Sequence, residues 1–164
     1  MKRLLILRHA KSSWNHPELS DFERPLNKRG RRAAPRMGRW IAENNLAPEV
    51  VICSTAKRAQ QTYQLVQDVV NWDVETIHTD ELYLAPAQTY IQHLSQLPDN
   101  IPTAMVIGHN PGMEELVSLL CGEYQSMPTC ALAVITFDVN VWSQLAANGC
   151  SGKIQHHVLP RELA

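Results

Sequence analysis

Long apolar runs are missing from this sequence. No stretch approaches the roughly 18 consecutive apolar residues of a membrane span. The chain opens Met-Lys-Arg and then four apolar residues, too few for a secretory signal. A cytoplasmic protein with no membrane partner is the expectation. Cysteine is scarce: Cys53, Cys121, Cys130 and Cys150 show no Cys-x-x-Cys and no short metal-type spacing. They are expected as small buried hydrophobes, in neither a disulfide nor a zinc site. Aromatic residues make up 6% of the chain and the net charge is −1. Nucleic-acid binders usually carry a basic stripe with interleaved aromatics, so no nucleic-acid partner is expected. Basic residues do cluster between Arg24 and Arg39, where they read as the solvated face of a helix.

What is present is an ordinary globular composition, with 45% hydrophobic and 19% charged residues over 164 positions. That length suits one domain, taken as residues 1–164. Short β-type runs stand at Arg3–Leu7, Val50–Cys53, Val74–His78, Thr103–Ile107, Ala131–Phe137 and Lys153–Val158. Helix-compatible segments lie between the earlier ones, at Gly30–Asn44, Ala56–Val70, Pro86–Leu97 and Pro111–Leu120. Ala59, Tyr63, Val66 and Val70 recur at helical spacing, which turns one face toward a core. Pro111 suits the first turn of a helix. Alternating strands and helices predict an α/β fold in three layers, a mainly parallel sheet flanked by helices. The last two runs have only Val141–Ala147 between them, so the sheet should finish with an antiparallel piece.

Ligands of open α/β sheets bind outside the carboxyl ends of the strands. After the first run come Arg8 and His9, after the second Ser54-Thr55-Ala56-Lys57-Arg58, and after the fourth Gly108-His109-Asn110-Pro111. Taken singly, each has a bland explanation. Arginines and histidines are commonly exposed. The Gly-His-Asn-Pro turn could be a plain connection, with Gly108 supplying freedom and Asn110 a cap. Convergence is what carries weight, because three strand ends deliver two arginines and two histidines to one rim. Neighbouring guanidiniums would repel a divalent cation, so no metal and no cofactor is expected. Arginine forks match phosphate oxygens instead, and helix N-termini add backbone donors. The first strand then delivers Arg8 to hold a phosphoryl group and His9 to attack it.

"LRHA", "STAKRAQQT" and "GHNP", with "DFERPLNKRGRRAA", resemble the motifs of the histidine phosphatase superfamily. Within it the short chain is similar to the SixA-like phosphohistidine phosphatases. The resemblance implies a compact phosphoglycerate-mutase-like fold without the large helical insertion of the mutases. It implies His9 as the nucleophile that forms a phosphohistidine intermediate, with Arg8, Arg58 and His109 as the phosphate pocket. Ala10 stands where many members have glycine. In such a pocket the cations should depress the pKa of His9, and its other ring nitrogen should donate to a backbone carbonyl.

Asp21 and Glu81 are the candidate proton donors, with Asp80 beside the latter, and Ser54 is a candidate substrate contact. An imidazole leaving group needs less protonation than an alkoxide, so a weak or misplaced acid would suit phosphohistidine. The expected activity is a metal-independent histidine phosphatase acting on phosphohistidine in a phosphorylated protein, such as a signalling domain. Two alternatives stay open: a phosphatase of a small phosphorylated metabolite, and a non-catalytic phosphate-binding module.

Overall fold

The structure, a computed structural model, describes residues 1–147 and 152–163. Each of the six apolar runs forms a strand: β1 (Lys2–Arg8), β2 (Val50–Ser54), β3 (Glu75–Thr79), β4 (Thr103–Gly108), β5 (Leu132–Phe137) and β6 (Lys153–Val158). Together they make one sheet in the order β3-β2-β4-β1-β5-β6. The first four of these pair in parallel. β5 runs antiparallel to β1, and β6 antiparallel to β5. That finish is the one expected, and its cause is short connecting structure. Between β5 and β6 the helix α5 (Gln144–Ala147) is a single turn, too short to carry a parallel crossover.

Side chains of the sheet divide strictly by parity. Leu4, Ile6, Val50, Ile52, Ala104 and Val106 pack against α3 (Ala87–Ser95) and α4 (Gly112–Cys121). Leu5, Leu7, Val51, Cys53, Met105 and Ile107 pack against α1 (Lys28–Glu43) and α2 (Lys57–Val70). Covering both faces is why β2 and β4 are buried at every position, while the edge strands β3 and β6 stay half exposed. Cys53 and Cys130 are buried as expected and Cys121 is half-buried, while Cys150 lies outside the described residues. Among the described residues no helix is long and apolar enough to cross a membrane.

Four local expectations need correction. α1 starts at Lys28 rather than Gly30, because the Asn27 side chain accepts from Gly30 N at 2.9 Å and caps it. Pro111 is the N-cap of α4 rather than part of its first turn. Asn110 does not cap that helix either, since its amide donates to the Met127 carbonyl at 2.8 Å. In the basic cluster, Arg29, Arg31, Arg32, Arg36 and Arg39 are exposed, but Arg24 is buried.

Neighbouring strands β1 and β4 send their following helices to opposite faces, α1 to one and α4 to the other. A crevice opens between their carboxyl ends, the usual ligand position of such sheets. The loop from β1 to α1 crosses this crevice and is pinned at Gly30, where a Cβ would overlap the Lys11 carbonyl oxygen. Gly30→Ala should therefore cost about 1–3 kcal/mol, read as a lower denaturation midpoint at unchanged m-value. An unaltered midpoint would show that the helix does not pin the loop.

Candidate active site

Strand register sets the site. Arg8 lies opposite Gly108, and His9 N donates to the Gly108 carbonyl at 3.1 Å. The rings of His9 and His109 are thereby brought to 5.1 Å between centroids. From the start of α2, Arg58 Nε–H donates to His9 Nε2 at 3.3 Å. Arg8, His9, Arg58 and His109 line one hollow of about 160 Å³, rimmed by Trp14 and Arg24. Three distant stretches of chain thus meet around a single small pocket.

The backbone of the β1 end is held on both sides. Cys130 N donates to the His9 carbonyl at 2.9 Å, and Ala10 N donates to Thr62 Oγ1 at 2.9 Å. Thr62 Oγ1 in turn donates to the Arg58 carbonyl at 2.7 Å, so the residue after His9 is tied to the turn that carries Arg58. Ala10 itself is fully buried, and its methyl joins the core on the α1–α2 side.

Both imidazoles have a defined tautomer. His9 Nδ1 lies 2.8 Å from the Ala10 carbonyl, an acceptor only, so Nδ1 carries the proton. Nε2 then keeps its lone pair, as the Arg58 donor requires. Burial holds His9 neutral, with its pKa well below the usual imidazole value; the nearby His109, Arg58 and Arg8 add to this, against the Ala10 bond. His109 is lowered to about 3, first by burial and then by Arg58 and Arg8, with Asp21 opposing. Its Nε2 pairs with Ser54 Oγ at 2.8 Å. Ser54 Oγ already accepts from Ala56 N at 3.2 Å, and Ser54 is wholly buried. Its hydroxyl proton needs an acceptor, and among the described residues His109 Nε2 is the one in place. The proton of His109 is accordingly on Nδ1, which is buried without a protein partner, as is Arg8 Nε. Both atoms are donors that no group among the described residues accepts from.

Arg58 is oriented from behind by Asp21. Its Nη1 donates to the Asp21 carbonyl at 2.7 Å and its Nη2 to Asp21 Oδ2 at 3.0 Å. Arg24 Nε donates to Asp21 Oδ1 at 3.1 Å, and the Tyr83 hydroxyl donates to Oδ2. Partial burial raises the Asp21 pKa, but Tyr83, Arg58 and Arg24 outweigh it and bring it to about 2. Arg24 also donates to Ser12 Oγ at 2.9 Å and stacks 3.5 Å from the ring centre of the exposed Trp14.

The candidate proton donors and contacts therefore divide. Asp21 is adjacent to the pocket, but it is an ionised anchor for arginines. Glu81 does not line the pocket; it lies 3.7 Å from His93, and Asp80 accepts the Thr55 hydroxyl. Ser54 does not line it either and reaches it through His109. Arg24, Tyr83, Thr62 and Trp14 were not singled out from the sequence. A signal existed for Arg24, in "ERPL", and for Thr62, the last residue of "STAKRAQQT", both in runs that carry the family resemblance. Among the described residues no three His, Cys, Asp or Glu side chains group as metal ligands.

Residues 4–83 match the profile of the histidine phosphatase superfamily (branch 1). An uncharacterised chloroplastic protein of Arabidopsis thaliana is 33% identical over 97% of this chain and 78% of its own length. The phosphohistidine phosphatase SixA of Escherichia coli K12 is 30% identical over 83% of this chain and 86% of its own. A solved structure of the protein histidine phosphatase SixA, complexed with tungstate, superposes with a TM-score of 0.84 at 26% identity, covering 98% of both chains.

Because both rings are held neutral, the His9 and His109 NMR signals should stay in place from about pH 7.5 to about pH 5, through the ordinary imidazole range. The same shifts make stability pH-dependent. The unfolded imidazoles bind protons below about 6.5 and the folded ones do not, so stability should fall as pH drops through that range toward the folded values. Titration of either ring near 6.5 would contradict the burial argument.

Proposed function

The chain belongs to the histidine phosphatase superfamily (branch 1), as a SixA-like member, and on that premise we propose that residues 1–164 act as one domain hydrolysing phosphohistidine on proteins through phosphorylated His9. Arg8, Arg58 and His109 hold the phosphoryl oxygens. Arg58 Nε–H turns from the neutral His9 Nε2 to the anion, the stronger acceptor. The His9 lone pair then forms a bond to phosphorus as the bond to the substrate imidazole breaks. The reacting form of the substrate ring is its imidazolium, which takes a proton from water on the other nitrogen at about pH 6.5, so the ring departs as neutral imidazole. Positive charge developing on His9 is met by the Ala10 carbonyl at Nδ1–H. In the second step water attacks in line, phosphate leaves with both water protons, and His9 returns neutral. Donors fixed before the reaction do the catalytic work by stabilising charge on the equatorial oxygens.

The observation that carries the choice of substrate is the state of Asp21. It is engaged by Arg58, Arg24 and Tyr83 and held near pKa 2, so it has no proton to give at neutral pH. An alcohol leaving group would need that proton; an imidazole does not. The pocket, at about 160 Å³, is also smaller than the roughly 300–1,000 Å³ of sites that enclose small ligands. It fits a phosphoryl group presented on a larger surface. Nearby guanidiniums favour an anion over a metal ion, so the reaction proceeds without one.

His9→Ala should abolish turnover while inorganic phosphate still binds, and Arg58→Ala should lower kcat on the order of 10²-fold or more. Phosphohistidine proteins should be turned over faster than a panel of phosphorylated metabolites, with and without EDTA. Preference for a metabolite would overturn the substrate, a divalent-ion requirement would overturn the mechanism, and activity surviving in His9→Ala would overturn both. Acid-labile, base-stable phosphate should be trapped on His9 during turnover.

A further inference from the structure

We infer that a second hollow beside the pocket, lined by Lys11, Arg29, Arg32, Arg36 and Arg161, docks an acidic surface of the phosphoprotein substrate. This hollow measures about 320 Å³ and shares Lys11 and Thr129 with the phosphate pocket, so the two are continuous along one wall. Arg29, Arg32 and Arg36 recur at three- and four-residue spacing on α1, forming one stripe about 10 Å long. Lys11 comes from the loop after β1, and Arg161 from the turn after β6.

Among the described residues the charge on this face has no ion-pair partner. None of the five cations has an ion pair among the described residues, and no carboxylate lines either hollow. Glu162, next to Arg161, accepts from Leu159 N at 2.8 Å and does not line the hollow. Counting Arg8, Arg24 and Arg58 with these five, eight of the chain's 15 lysines and arginines line the two hollows, although the net charge is −1. A chain of net charge −1 that gathers its cations beside its reactive pocket attracts a partner of opposite charge to that spot.

The chemistry favours a protein surface over a single ion. All five side chains are exposed, and hydrated cations gain little from one lone anion. Their fields add over an extended acidic footprint, and they raise association rates more than they deepen a complex. The basic stretch that reads from sequence as a solvated helix face thus acquires a position relative to the pocket. This inference rests on a phosphoprotein being the substrate.

The test compares the wild type with R32E/R36E and with the milder R32Q/R36Q, using two substrates, between about 50 mM and about 300 mM salt. One substrate is an acidic phosphohistidine-bearing protein; the other is phosphoramidate, which has no surface to dock. For the protein, kcat/KM should fall about 10-fold or more in R32E/R36E and lose its salt dependence, with R32Q/R36Q intermediate. Phosphoramidate turnover should be unchanged in both variants. Equal effects on the two substrates, or none on the protein, would overturn the docking role while the phosphohistidine reading stands. A wild type that hydrolyses phosphoramidate but not the protein would overturn both. Loss of oligonucleotide or inositol polyphosphate binding in the variants, with protein turnover unaffected, would reassign the hollow and overturn this inference.

Discussion

The hydrogen bond from His9 Nδ1–H to the Ala10 carbonyl, 2.8 Å long, leaves the other ring nitrogen with its lone pair, and much of the surrounding structure keeps that arrangement in place. An imidazole free to rotate or to take up a second proton would lose the lone pair as a nucleophile. Rotation is opposed by that ring bond and by burial, on a main chain held by the bonds from His9 N to the Gly108 carbonyl and from Cys130 N to the His9 carbonyl. Protonation is opposed by burial and by the cations nearby. The same physics that keeps protons off the ring leaves the Nε2 lone pair free, as the proposed attack on phosphorus requires.

Three guanidiniums around one small pocket would repel one another without an anion between them. Asp21 supplies part of that charge from behind, touching Arg58 and Arg24 at once, and Tyr83 holds its second oxygen. Its own ionisation is the consequence. Arg58 faces both ways, with Nη1 and Nη2 committed to Asp21 and Nε resting on His9 at 3.3 Å. The contact with His9 is long and neutral at the acceptor, so an oxyanion competes with it easily. An anchored guanidinium with one weakly engaged donor is preorganised for the oxyanion that the proposed function brings to it.

The fold contributes through close approaches as much as through topology. Tyr90 is buried beneath the end of β4, where its hydroxyl accepts from His109 N at 3.1 Å. That hydroxyl occupies the space that a Cβ at Gly108 would need. One glycine thus lets an aromatic ring from α3 support the backbone of His109. Ser54, from the end of β2, sets the proton of the same ring. His109 is held at its backbone from one face of the sheet and at its ring from the next strand.

The alternation of apolar runs and helical segments was visible along the chain, as were the strand ends bearing Arg8, His9, Arg58 and His109, because period and strand order are properties of short stretches. The similarity to known phosphatases was carried by those same short stretches. What the chain did not disclose was which polar side chain meets which. Tyr83 reaches Asp21 across 62 positions, and Ser54 reaches His109 across 55. Asp21 read as a candidate proton donor and Ser54 as a candidate substrate contact; in the tertiary structure the first bonds Arg58, Arg24 and Tyr83 and the second bonds the ring of His109. It also buried Arg24 while leaving its basic neighbours in water. Hydrophobic pattern selects the elements locally, but sheet register and the path of the β1–α1 loop set ångström-scale distances between remote groups, and those distances decide which atoms share a proton.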